Sequence, residues 1–237
     1  MNSKKKNHYF IGYMIRFDNE LIKELNKANK VISKFKNVKI KNEVHNYHTR
    51  FIYLGYLDNE TANNLIYHKL DPILQYMVNK LSKNSRDFEC KINKDIQIFG
   101  HKSTYKKIGV FYNNNLIEKK IIPTLREIMK DIYGEYKYDF KPHINIMSIY
   151  PINRANIELL HDKISYSSID LPEKFYFDSI DVLKSSTLET RSGKSSKNDE
   201  SKVETLFTYK INKTGLQSDN ITKSKKSIIN TISKMFS

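Results

Sequence analysis

Two short stretches decide the reading of this chain: His48-Thr49-Arg50-Phe51-Ile52-Tyr53-Leu54-Gly55 and Phe140-Lys141-Pro142-His143-Ile144-Asn145-Ile146-Met147. Both are rich in β-branched and aromatic residues and have the length of single strands. Successive side chains of a strand point to opposite faces. The first stretch therefore sets His48, Arg50 and Ile52 against Thr49, Phe51 and Tyr53, and the second sets His143 and Asn145 against Ile144 and Ile146. Pro142 is tolerated because it stands at a strand start. In each stretch a histidine and a hydrogen-bond donor two positions on are expected to project together, away from an apolar core face.

The material around the two stretches repeats as well. Tyr9-Phe10-Ile11-Gly12-Tyr13-Met14-Ile15 reads as a buried strand, and Lys107-Ile108-Gly109-Val110-Phe111-Tyr112 resembles it. Gly12 and Gly109 are 97 positions apart, and His48 and His143 are 95 apart. Between the first strand and His48, Asp18 is a plausible cap for a helix in which Leu21, Leu25, Ala28 and Ile32 recur at helical spacing. Ile117, Ile121, Leu125 and Ile128 mark the corresponding helix before His143. A helix from about 59 to 81, strand-like sequence from 88 to 99, a short helix near 155–164 and a strand around 175–183 complete the pattern.

The chain thus reads as a diverged duplication of predicted class α+β. Two lobes, each a mainly antiparallel sheet with helices outside, are expected to face a central cleft, a natural ligand site. The predicted organisation is a basic extension over 1–7, a two-lobed domain over 8–212 and a tail over 213–237. The stretch 185–202, dense in Ser, Lys, Gly, Asn and Asp, reads as a mobile loop leading through a hairpin to Thr205-Leu206-Phe207-Thr208-Tyr209. In the tail, Ile221, Ile228, Ile229, Ile232, Met235 and Phe236 line up on one face of a helical pattern that also carries Lys223, Lys225, Lys226 and Lys234. Such a segment docks on the domain or makes weak contact with a membrane surface.

Composition narrows the function classes. The 237 residues are 39% hydrophobic and 28% charged, which supports a substantial core and argues against wholesale disorder. No apolar run approaches the roughly 18–20 residues of a membrane-spanning helix, and strand-like sequence follows the basic start in place of a signal-peptide core, so no transmembrane segment and a cytoplasmic location are expected. A single cysteine, Cys90, excludes an intramolecular disulfide framework and a thiolate cluster, and burial is the expected fate of its thiol. The formal net charge of +15 favours polyanionic partners such as nucleotides or RNA. A Lys-, Asn- and Ile-rich composition of the kind an AT-rich genome imposes accounts for the same charge equally well.

Two histidines at equivalent places in two lobes can converge on one phosphorus atom, one as general base and the other as general acid. The remaining histidines, His8, His45, His68, His101 and His161, form no His-Glu-x-x-His or comparable ligand set, so neither a metal nor a cofactor is expected. There is no Gly-x-Gly-x-x-Gly run, Walker loop or nucleophile elbow. Alternation places Tyr9, Ile11 and Tyr13, and likewise Ile108, Val110 and Tyr112, on the expected cleft-facing side. Tyr9, Tyr13 and Tyr112 are therefore candidates for stacking on a base, with Tyr136 and Tyr138 at the entrance.

Taken together, Phe10-Ile11-Gly12-Tyr13-Met14-Ile15, the His48 strand ending in Tyr53-Leu54-Gly55, and Lys141-Pro142-His143-Ile144-Asn145-Ile146 resemble the 2H phosphoesterase superfamily, the LigT-like fold named for two His-x-Thr/Ser motifs. The resemblance spans roughly residues 8–212, including a late strand pair near 178–184 and 205–211. It implies a metal-independent phosphodiesterase acting on 2′,3′-cyclic phosphate RNA ends, 2′,5′-linked oligonucleotides or a cyclic nucleotide signal. It makes His48 and His143 the catalytic pair and their neighbours two positions on the phosphate holders.

Those neighbours are Arg50 and Asn145, where the family pattern has Thr or Ser. Both can donate to phosphate oxygens, Arg50 through a charged fork and Asn145 through its amide. A fixed charge about 6–7 Å along the strand disfavours protonation of His48, so His48 is the expected base and His143 the expected acid. The alternative is a catalytically inactive protein of this fold that binds RNA or nucleotides. A small lysine-rich enzyme of this kind fits a viral or phage protein that destroys an immune messenger in the host cytoplasm as well as it fits an RNA-end processor.

Overall fold

The chain is seen in a computed structural model that describes residues 7–16, 18–36, 38–44, 46–82, 88–100, 106–135, 141–150, 154–186 and 202–211. The N-terminal extension up to residue 6, most of the 185–202 loop and the 213–237 tail lie outside the described residues, as do His45, His101, Tyr136 and Tyr138.

The elements follow the repeat. The first half runs β1 (Asn7–Met14), α1 (Asn19–Ser33), β2 (Lys39–Glu43), β3 (His48–Leu57), then α2 (Asn59–Asn64) and α3 (Asp71–Ser82) joined by a π-helical turn at Leu65–Leu70, then β4 (Glu89–Phe99). The second runs β5 (Lys106–Asn113), α4 (Ile122–Tyr133) entered through a π-helical turn at Ile117–Ile121, β6 (His143–Tyr150), α5 (Arg154–Ser165), β7 (Lys174–Tyr176), β8 (Ser179–Ser186) and β9 (Lys202–Lys210). In α1 the Asp18 carboxylate accepts from the Leu21 N–H at 2.9 Å, satisfying a first-turn donor, and Leu21, Leu25, Ala28 and Ile32 are completely buried. No helix among the described residues is long and apolar enough to cross a membrane.

The strands form one antiparallel sheet in the order β7-β4-β5-β6-β3-β1-β8-β9, with β2 also paired to β6. The two expected sheets are thus joined edge to edge, and the junction is a single residue pair, Thr49 with Ile144. It is short because β2 occupies the neighbouring stretch of the same strand, from Met147 to Tyr150. The halves also exchange elements: β4 lies beside β5, whereas β8 and β9 close the far side of β1. The expected late hairpin is present, with Ser186 paired to Lys202 across the loop.

All the helices contribute to one continuous core that also contains Tyr9, Ile11, Tyr13, Ile108, Val110, Tyr112, Ile144 and Ile146. This overturns one expectation. The tyrosines of β1 and β5 lie on the helix-covered face, and the face carrying the histidines takes the alternate residues, His8, Phe10, Gly12 and Met14 on β1. Phe10 and Met14 form a separate small cluster there with Leu183 and Val203. Because β1 is a central strand with apolar residues on both faces, pattern alone left its orientation undetermined.

Two bulges sharpen the repeat. Ile11 pairs with Ile52 but Gly12 pairs with Arg50, leaving Phe51 as the extra residue. Ile108 pairs with Met147 but Gly109 pairs with Asn145, leaving Ile146 extra. Each bulge falls three residues after a histidine and turns two consecutive side chains to the same side. Phe51 and Ile52 are both fully buried in the main core. Ile52 therefore does not share the face of His48, and the next residue, Tyr53, comes round to meet His8 at a ring separation of 4.6 Å.

Candidate active site

Continuing the register from the Thr49–Ile144 pair sets His48 opposite Asn145 and Arg50 opposite His143. Thr49 and Ile144 are buried, so these four half-buried side chains share the opposite face. The histidines are thereby diagonal neighbours, a relation that in general sets residues about 7–8 Å apart with their Cβ atoms somewhat closer.

Each ring is held in the same way. His48 Nδ1 lies 3.1 Å from the Asn46 carbonyl oxygen, and His143 Nδ1 lies 2.8 Å from that of Lys141. A carbonyl can only accept, so in the neutral ring Nδ1 carries the hydrogen and Nε2 the lone pair. Two basic nitrogens are thereby fixed by one local device, a bond to the carbonyl two residues upstream.

The glycines make the approach feasible. A Cβ on Gly12 would lie 2.0 Å from the Thr49 carbonyl oxygen, and one on Gly109 would lie 2.3 Å from that of Ile144. Arg50 lies over the aromatic residue of the same strand pair, with its guanidinium carbon 4.5 Å from the Phe10 ring centroid.

Burial lowers both histidine pKa values from 6.5 to about 4, with nearby cations adding to the effect. His48 feels Arg50 and His143, then Lys107; His143 feels Lys107 and Arg50. The expected asymmetry, in which Arg50 singles out His48 as the base, is therefore absent: Arg50 stands across from His143 and acts on both. Both imidazoles are neutral at pH 7 in the ligand-free protein.

Tyr9, Tyr13 and Tyr112 do not belong to this site. They are at most 4% exposed, within the main core. Their hydroxyls are engaged there: Tyr9 donates to Asn59 Oδ1 at 2.9 Å, Tyr13 donates to the Tyr176 carbonyl at 3.3 Å, and Tyr112 shares a hydrogen bond with Thr49 Oγ1. Other aromatic rings neighbour the two histidines. Tyr56 stacks on His8 at 5.1 Å, His8 contacts Phe10 at 5.6 Å, and Phe10 contacts His48 at 5.2 Å. On the other side, His143 lies 5.1 Å from Phe99 and 5.8 Å from Phe111.

Sequence reasoning missed these rings, and it missed Lys107. Pairing Lys107 with Phe99 and Ser148 places it on the histidine-bearing face of β5, two residues before Gly109. The signal that could have found it is the repeat itself: Lys107 is 97 positions after Phe10, as Gly109 is after Gly12. Asn145 presents a further polar atom, its Oδ1, which is buried with no hydrogen-bond partner among the described residues. Cys90 is fully buried, and burial raises its thiol pKa well above the ordinary value, so it offers no nucleophile.

No protein-family model matches the sequence. No curated protein matches it either. Solved structures do. TT0787 of Thermus thermophilus superposes with a TM-score of 0.54 at 15% identity, covering 86% of this chain and 97% of that one. LigT of E. coli in its apo form superposes with a TM-score of 0.50 at 9% identity, covering 88% and 99%. This is a LigT-like fold. Within this fold, Arg50 and Asn145 are the two residues that pair with Gly12 and Gly109.

Proposed function

We propose that this protein is a phosphodiesterase of the two-histidine type, acting without a metal on a nucleotide or oligonucleotide. The reading rests on one observation: His48 and His143 lie diagonally across the junction of the two halves, each with Nδ1 tied to a carbonyl and Nε2 left basic. One Nε2 takes the proton of the attacking oxygen, from water or a ribose hydroxyl. The phosphorus–oxygen bond on the opposite side breaks, and the second imidazole, protonated in the complex, gives its proton to the departing oxygen. Arg50 and the Asn145 amide donate to the non-bridging oxygens. The anionic phosphate offsets the surrounding cations and raises the histidine pKa values, which supplies the protonated partner. The substrate's base rests on Tyr56, which is 51% exposed and stacked on His8.

The candidate linkages are those that the family resemblance implies: a 2′,3′-cyclic phosphate RNA end, a 2′,5′-linked oligonucleotide or a cyclic nucleotide signal. Incubation with a panel of these in EDTA tests the reading. Turnover should fall roughly 10²- to 10⁴-fold in each of His48→Ala and His143→Ala. Replacement of both motif hydroxyl residues favours a second reading, a non-catalytic protein that binds nucleotides or RNA. Tight binding with no turnover across the panel would select it.

A further inference from the structure

Two phenylalanines on the histidine-bearing face stand outside the interior of the fold. Phe99 on β4 and Phe111 on β5 are only half-buried, and neither belongs to the main core or to the small cluster around Phe10. Register fixes their face, since Phe111 pairs with His143 and Phe99 pairs with Lys107. The two rings meet at a centroid separation of 4.9 Å, and both meet the His143 ring.

We propose that Phe99 and Phe111 form a second base site, and that the substrate is an open-chain phosphodiester with a nucleoside on each side of the phosphorus. The inference rests on the phosphodiesterase reading above and adds to it the class of substrate.

Position carries the point. In the sheet, β4 and β5 lie to one side of the two histidine strands, β6 and β3, and β1 lies to the other. Tyr56, the exposed ring already assigned to a base, belongs to the β1 side through its stacking on His8. A phosphorus held between His48 and His143 therefore has one aromatic flank on either hand. Phenylalanine offers a ligand no hydrogen bond, only an apolar ring face, and what matches that face is another flat ring. A 2′,3′-cyclic phosphate joins a single nucleoside to the phosphorus and leaves one flank bare. An open-chain ester covers both. The strands β5 and β1 are three spacings apart, about 14 Å along the sheet, whereas stacked neighbours in a nucleic acid strand are about 3.4 Å apart. The two bases are therefore splayed, each on its own flank, as in the recognition of unstacked single strands.

The test uses 2′,5′-linked diadenosine monophosphate and two analogues, each with one adenine replaced by hydrogen, so that the ester is identical throughout. Binding is measured by titration calorimetry in EDTA, and cleavage is followed separately. In the unaltered protein, removal of either adenine should weaken binding about tenfold. In the double variant Phe99→Leu with Phe111→Leu, removal of one adenine should weaken binding about twofold or less, while removal of the other keeps its full effect. Tyr56→Leu should show the opposite pattern.

No detectable binding of the dinucleotide, or equal affinity for it and either analogue in the unaltered protein, overturns the second base site, and this comparison stands even if the double variant fails to fold. Undiminished dependence on both adenines in a folded double variant overturns the assignment to Phe99 and Phe111. Binding that needs both adenines, without cleavage, removes the phosphodiesterase reading and leaves this site in place. Cleavage whose rate and affinity are indifferent to the loss of one adenine does the reverse.

Discussion

Gly12 and Gly109 occupy the same structural position, once in each half of the sheet: each pairs with the residue two places after a histidine, beside a bulge, with its α-carbon packed against the intervening carbonyl. The atoms in the way of a side chain are backbone, so no rotamer change relieves the contact. Gly12→Ala and Gly109→Ala should each cost about 3 kcal/mol, the upper part of the range for overpacking. Calorimetric melting temperatures should fall by about 10 °C in both. A fall in one variant alone would show that the two positions are not equivalent.

Acid should destabilise the protein over a defined window. His8, His48 and His143 have pKa values of about 3, 4 and 4 when folded, against 6.5 when unfolded. Above pH 6.5 these rings are neutral in both states. As pH falls from there toward 4, the unfolded chain takes up protons that the folded chain refuses, and stability declines. Urea midpoints across that range should drop, and the slope should be shallower in His8→Phe, which removes one of the three groups. A midpoint that is flat between pH 6.5 and 4 would contradict the burial of these rings.

Tyr112 is a structural fastener in place of a base platform. Its hydroxyl meets Thr49 Oγ1 behind the strand that carries His48, linking β5 to β3 past β6. Tyr112→Phe leaves the Thr49 hydroxyl buried without that partner and should cost about 1–3 kcal/mol. The double variant Tyr112→Phe with Thr49→Val should recover part of the loss, since neither polar group then remains. A double-mutant cycle from denaturant unfolding measures the coupling.

A second fastener lies at the far edge of the first half. Asp181, fully buried, accepts from the Met14 N–H at 2.7 Å and from Arg16 Nη2 at 3.1 Å, and that same Arg16 nitrogen reaches Thr205 and Thr208. Arg16→Met strands the carboxylate and should cost about 3 kcal/mol, the low end for a broken buried pair because Arg16 retains some contact with water. Adding Asp181→Asn should restore much of the loss in thermal unfolding.

The helix cap at Asp18 and the recurring order of strands and helices were legible because each depends on local spacing. The Tyr9, Tyr13 and Tyr112 assignments failed for a different reason. In a central strand with apolar residues on both faces, period-2 alternation separates the faces without saying which one is the core. Glycine was the usable marker, since Gly12 and Gly109 share a face with the histidines. The position of Tyr53 was hidden by the bulge at Phe51, which shifts phase by one residue and leaves no composition signal. Lys107 was obscured by the same reversal, since placing Ile108, Val110 and Tyr112 toward the cleft turned Lys107 away from it.

The exchange of β4 against β8 and β9 makes the halves inseparable. A fragment ending near Gly100 would retain β4 but not β5, on which it lies, and would leave β1 with a bare edge. The complementary fragment would hold β8 and β9 with no β1 to receive them. Neither piece is a self-sufficient unit, so an ancestral single copy with this arrangement would have needed a twin, each lending strands to the other before one polypeptide came to encode both.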